Sequence, residues 1–306
     1  MKTIIYVPDI ECDSCVKLLE RSFKNKEGIN SFKIKEDYIE FEFNENLIKK
    51  EQLIDIIKKQ NFRASFTPFE RKNWSERIRH YKENKHKYKI EQKIITYTLG
   101  IFLTLLILEV ILYLTLFKDI PNFIQNYGWW IFYLNISISV ISLGTWHFFA
   151  YRAKYTCMTG MMIGMTFGMQ TGMMLGAVLG ATNGFFIGAM AGMLLGTFIG
   201  IITGKCCGVM GIMEGMMAGV MGGTMGSMIS VMMFSDHLLY FMPFYMVINI
   251  IIMWGLSYML YEEVVEDKDV IKKPTDFITV AIISIIAAFI LLAIMIYGPK
   301  SFLINF

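Results

Sequence analysis

From residue 94 onward this chain is nearly without charge: 21 of its 29 Lys and Arg, and 16 of its 26 Asp and Glu, lie in the first 93 residues. It has no phosphate-cradling G-x-x-x-x-G-K-[ST] and no aspartyl-phosphate D-K-T-G, so ATP is not expected to drive its activity. Five cysteines are too few for a disulfide scaffold, and two of them form a C-x-x-C, a spacing that suggests metal or redox chemistry. The start, MKTIIYVPDI, has an apolar run of about four residues, too short to be read as a cleaved signal. The net charge of +3 singles out no partner, and nucleic acid is not expected as one.

What the chain has in abundance is apolar sequence, 55% of 306 residues. Long apolar runs make it an integral membrane protein. The stretch from Cys157 to Phe234 stands out. Glycine recurs every fourth residue from Gly160 through Gly208, slips by one position, and resumes at Gly211, Gly215, Gly219 and Gly223. In water such a helix would lose about 1 kcal/mol per glycine relative to alanine. In a bilayer the same spacing lets backbones approach closely, the small-xxx-small logic of membrane helices. Between the glycines sit 18 of the 24 methionines. They form two ladders at fourth-residue spacing: Met161, Met165, Met169 and Met173, then Met213, Met217, Met221 and Met225.

Residues 1–68 read as a soluble α+β domain. TIIYVP alternates as a strand, and CVKLLERSFK places Val16, Leu19 and Phe23 at helical spacing. INSFKIKEDYIEFEF reads as two strands turning near Glu36 and Asp37, LIKKEQLIDIIKKQ as an amphipathic helix, and FRASF as a last short strand. The order βαββαβ is a ferredoxin-like sandwich, with Cys12 and Cys15 in the loop before the first helix. This arrangement resembles the heavy-metal-associated domain of copper chaperones and metal-pump N-termini, on its C-x-x-C, its Gly28-Ile29 start of the second strand, and Asn61-Phe62 before the last. The resemblance implies that Cys12 and Cys15 bind Cu(I) as thiolates, a form that the start of a helix favours. Soft sulfur ligands select Cu(I) over hard ions, and a two-coordinate site can pass its ion on. Where the family usually has Met, two residues before the first Cys, this chain has Ile10, which can fill the same packing role. Glu11 and Asp13 leave room for a divalent ion.

Residues 69–93 carry nine Lys and Arg against four acids. Trp74, Ile78, Tyr81, Lys85 and Tyr88 share a face, which reads either as a basic amphipathic helix at the membrane surface or as a solvated spacer. His80 and His86 read as surface residues. The membrane part, residues 94–297, divides into seven apolar spans near 94–117, 129–150, 158–181, 184–204, 208–233, 238–261 and 275–297, ahead of a tail, residues 298–306. The linker, Arg152, Lys154, Lys205, Lys268, Lys272 and Lys273 fall on one side, which the positive-inside rule makes cytoplasmic. That puts the N-terminus inside a cytoplasmic membrane, in a reducing compartment that suits a dithiol.

GMMIGMTFGMQTG (Gly160 to Gly172) aligns with GIMEGMMAGVMGG (Gly211 to Gly223). Cysteines open both segments: Cys157 the first, Cys206 and Cys207 the second. All three are expected at the cytoplasmic end. A fourth-residue step climbs about 6 Å along a helix, so each ladder offers a series of weak thioether sites, as conduction requires. Thioethers are soft and uncharged, so they can hold Cu(I) without burying a charge. Gap-filling in a helix core is the other reading of the methionines. The MxxxM and GxxxG patterns are similar, locally and weakly, to eukaryotic copper uptake channels.

Glu109, Glu214, Asp236 and His237 are further candidates. Glu214 lies among the methionines as a ligand or proton carrier, or as a helix-end carboxylate reaching water. Glu109 reads as a hydrogen-bonded structural carboxylate, and Asp236 with His237 as an outer receiving site. Trp146-His147 reads as an interfacial anchor. Together these residues point to a transporter or channel for a soft metal ion, not an enzyme, with a soluble copper chaperone and further copies of the chain as candidate partners. Three other readings stay open: a metal sensor or scaffold without flux, a Hg(II) transporter, and a membrane thiol oxidoreductase.

Overall fold

The structure is a computed structural model that describes residues 2–10, 13–24, 26–45, 47–60, 62–68, 79, 89–118, 123–151, 155, 157–261 and 277–301. The linker face, His80, His86, Cys12, and the basic residues Arg152, Lys154, Lys268, Lys272 and Lys273 lie outside the described residues. Two compact units are present, and each is taken by itself.

The N-terminal unit is built on β1 (Lys2–Tyr6), α1 (Asp13–Phe23), β2 (Ile29–Ile34), β3 (Tyr38–Phe43) and α2 (Lys50–Lys59). The strands form an antiparallel sheet in the order β1-β3-β2. Alternation decides which face is covered: Ile5, Ile39, Phe41 and Phe43 are buried with Leu19 and Phe23 of α1 and Leu53 and Ile57 of α2. Ile10 packs into this core at 5% exposure. The expected fourth strand is reduced to a single antiparallel bridge between Tyr6 and Ser65. The Thr67 N–H donates to Ser65 Oγ at 3.1 Å, and that local turn takes the place of a ladder.

The second unit is helical: α3 (Lys89–Leu112), extended by a π turn at Tyr113–Phe117, α4 (Phe123–Ala150), α5 (Cys157–Asn183), α6 (Phe185–Gly204), α7 (Gly208–Met232), α8 (Leu238–Leu260) and α9 (Phe277–Tyr297). Among the described residues, six segments are long and apolar enough to cross a membrane, the longest being Phe185–Ser235 with 51 residues. That segment is broken by the 3-10 turn Lys205–Cys207 and by Gly208, whose φ of +68° only glycine adopts freely. Gly200 and Gly215, on either side of this break, lie against each other, so α6 folds back on α7.

Two kinds of packing hold this unit. Large apolar side chains join α3, α4, α8, α9 and the C-terminal half of α5, with Leu105, Leu134, Met174, Met242 and Leu291 buried. Glycine joins α5, α6 and α7: a Cβ built on Gly204 would lie 2.2 Å from Gly211 O, and one on Gly168 would lie 2.5 Å from Gly215 O. Backbone thus meets backbone over about four turns, the close approach that small residues allow in a bilayer.

Candidate functional site

In the N-terminal unit, Cys15 is buried in the first turn of α1. Asp9, six residues earlier, is held in place. The Asp9 carboxylate, 3% exposed, accepts hydrogen bonds from the backbone N–H, Nε and Nη2 of Arg63 at 2.7, 2.8 and 2.6 Å. Such a fork fixes direction as well as distance, so β1 leads into the C-x-x-C loop from an anchored residue. On the outer face of the sheet, hydrogen bonds from Lys35 hold the Glu40 carboxyl below its usual range, and hydrogen bonds from Lys2 and Ser31 do the same for Glu42.

Cys206 and Cys207 stand on the turn between α6 and α7. Both sulfurs converge on the missing side chain of Gly160 in α5: a Cβ there would lie 2.3 Å from Cys207 Sγ and 2.8 Å from Cys206 Sγ. Cys206 also donates to Thr203 O at 3.3 Å. Two soft ligands therefore share one spot, and glycine at 160 is what leaves room for them. The Cys157 side chain lies outside the described residues. Among the described residues, no three of His, Cys, Asp and Glu come together as a metal group.

The glycines face inward on the three-helix unit, and much of the methionine faces out. Met213, Met217, Met221 and Met225 are 57%, 55%, 49% and 44% exposed. On α5, Met165 is exposed, and Met161, Met169 and Met173 are half-buried. The four-residue period carries two stripes on opposite sides of one helix, and the smaller residue takes the interface. Within one copy, then, the ladders do not line an internal path. Glu214 is half-buried on the methionine face, with Met210, Met217 and Met221 at helical spacing around it. It makes no hydrogen bond or ion pair among the described residues. Asp236 and His237 are exposed at the turn after α7, where His237 adopts a left-handed φ of 37°.

Several polar groups are buried among the membrane helices, and of these the sequence marked Glu109, read as hydrogen-bonded, and His147 but not Asn135, Ser139 or Tyr245. Asn135 Nδ2 donates to Glu109 Oε2. Buried Glu109 Oε1, Asn135 Oδ1, Ser139 Oγ, both His147 ring nitrogens and Tyr245 Oη have no hydrogen-bond partner among the described residues. His147 is thus an inward-facing core residue against Tyr151, not an interfacial anchor. The run Asn135-x-Ser137-x-Ser139 inside an apolar span was the available signal. A cavity of about 340 Å³ lies between α4, α6 and α9, with Ser142, Trp146, Phe198, Thr203 and Ile283 in its wall.

Known protein families, curated proteins and solved structures were each compared with this chain, and none matches it.

Proposed function

We propose that the protein is a membrane transporter or channel for a soft metal ion, with Cu(I) as its cargo, served by an N-terminal C-x-x-C domain of the heavy-metal-associated type. One observation carries this reading. The lipid-facing positions of α3 and α9 are Ile, Leu, Val and Phe, among them Leu99, Leu103, Val110, Ile282, Ile286 and Phe289. The outward face of α7 is instead Met210, Met213, Met217, Met221, Met225, Met228 and Met232. A face that only met lipid would gain nothing from thioethers over branched alkanes, and flexible methionine specifies packing poorly. Thioethers do bind Cu(I).

Because the α7 ladder points away from its own copy, the path runs between copies whose α7 faces meet. Cys12 and Cys15 receive the ion on the cytoplasmic side and exchange it with Cys206, Cys207 and Cys157. The methionines then carry it across seven spans with the N-terminus inside. Asp236 and His237 handle the ion at the outer end. Glu214 supplies one carboxylate on the path.

Cu(I) movement in proteoliposomes, with bound copper counted in parallel, tests the proposal. Flux is the expected result. Copper bound stoichiometrically at Cys12 and Cys15 without any flux would favour the sensor or scaffold reading. A trapped mixed disulfide between the C-x-x-C and Cys206 or Cys207 would favour the oxidoreductase.

A further inference from the structure

We infer that Glu109 is an intramembrane proton-binding site, held as a neutral carboxylic acid in a two-bond ring with Asn135. Glu109 lies in α3 and Asn135 in α4, and one hydrogen bond already joins them, from Asn135 Nδ2 to Glu109 Oε2. Each side chain keeps one buried atom without a partner among the described residues: Glu109 Oε1 and Asn135 Oδ1. Both are acceptors if Glu109 is ionised, and neither can then satisfy the other. One proton on Oε1 turns it into a donor, and Asn135 Oδ1 is the acceptor that lacks one. Both buried atoms left over, Glu109 Oε1 and Asn135 Oδ1, then have a partner. Without the proton, two acceptors and a full charge are left in hydrocarbon, where unpaired polar groups cost most.

No neighbouring charge takes the proton's place. Neither α4 nor α9, the helices packed against α3, has a Lys, Arg, Asp or Glu within its bounds. The charged residues of α3 itself, Lys89, Glu91 and Lys93, lie four turns or more from Glu109, and the exposed Lys118, past the π turn, lies about two and a half turns away in the other direction. The titratable groups on these elements are the phenols Tyr97, Tyr113, Tyr127, Tyr133 and Tyr297 and the imidazole of His147, three turns beyond Asn135 along α4. A hydroxyl stripe leads away from the site on the face of Asn135. Ser139 follows one turn later, its buried Oγ without a partner among the described residues. Ser142 comes next, accepts a hydrogen bond from Ser284 at 2.9 Å, and stands in the wall of the 340 Å³ cavity. These hydroxyls stand about 5–6 Å apart along the helix, so waters between them would be needed to carry a proton to Glu109. Set beside the proposed ion path, the site makes H⁺ the coupling ion.

Infrared difference spectroscopy of the full chain in liposomes tests the site without any metal. At about pH 6, where exposed carboxylates are already ionised, the wild type is expected to show a protonated-carboxyl band that Glu109→Gln lacks. Asn135→Leu should keep the band and shift it to the frequency of a less hydrogen-bonded acid. Glu109→Gln copies the neutral form, so it is expected to fold. Identical wild-type and Glu109→Gln spectra would overturn the proposal, whether or not copper moves. If copper does move, accumulation driven by a pH gradient should fall at least tenfold in Glu109→Gln while downhill flux stays. Undiminished accumulation would overturn the coupling.

Discussion

Gly200 of α6 and Gly215 of α7 meet backbone to backbone: a Cβ built on either would lie 2.3 Å from the carbonyl oxygen of the other. Neither helix can move apart without opening the contacts at Gly204 and Gly211 and at Gly196 and Gly219 as well. Gly215→Ala is therefore expected to destabilise the membrane unit by about 2 kcal/mol or more, read as a lower midpoint of thermal unfolding in detergent. Gly255→Ala in α8 is the control, because nothing lies within 4 Å of a Cβ there. It should be neutral or stabilising by up to about 1 kcal/mol.

The outward methionine face gives a prediction about assembly. In a background without native cysteines, Met217→Cys or Met221→Cys should cross-link between copies in the bilayer. Ile286→Cys, on the lipid-facing side of α9, should not. Equal cross-linking at the two faces would show that α7 is not the contact.

Asp9 and Arg63 tie the chain just after β1 to the segment after α2. Arg63→Ala leaves the Asp9 carboxylate buried and uncompensated, at a cost of about 3 kcal/mol to the N-terminal domain. Hydrogen exchange of the full chain should show faster exchange through β1 and α1, with the membrane helices unchanged. Unchanged exchange in β1 would mean that the pair holds nothing in place.

Surface pairs on the same domain make its stability fall slightly in acid. Glu40 is depressed chiefly by its hydrogen bond from Lys35, and Glu42 by that from Lys2. A depressed carboxyl contributes stability that is present above its unfolded value of 4.5 and is lost as pH falls through the lower folded value. Stability of the domain should therefore fall with pH below 4.5, and Lys35→Ala should flatten that slope. Both side chains are open to solvent, so the effect is small.

The alternation in TIIYVP and YIEFEF, and the helical spacing of Leu19 and Phe23, made the N-terminal sheet and its first helix legible from sequence. Its last strand was not, because Ser65 and Thr67 settle into a turn that pattern alone does not reveal. In the membrane part, glycine and methionine share one four-residue period, so spacing could not tell which stripe faced inward. Size decided it: only glycine permits the backbone contacts seen between Gly200 and Gly215. Glu109 and Asn135 are 26 residues apart on different helices, and no local motif joins them. Their pairing appears only when α3 and α4 pack.

The central claim is that thioethers on the α7 face carry Cu(I). The most direct measurement is Cu(I) flux into proteoliposomes for wild type, for a variant with Met213, Met217, Met221 and Met225 changed to Leu, and for one with Ile282, Ile283 and Ile286 changed to Leu. Flux is expected to vanish in the first variant and persist in the second, with copper still bound at Cys12 and Cys15 in both. Undiminished flux through the leucine-faced α7 would contradict it.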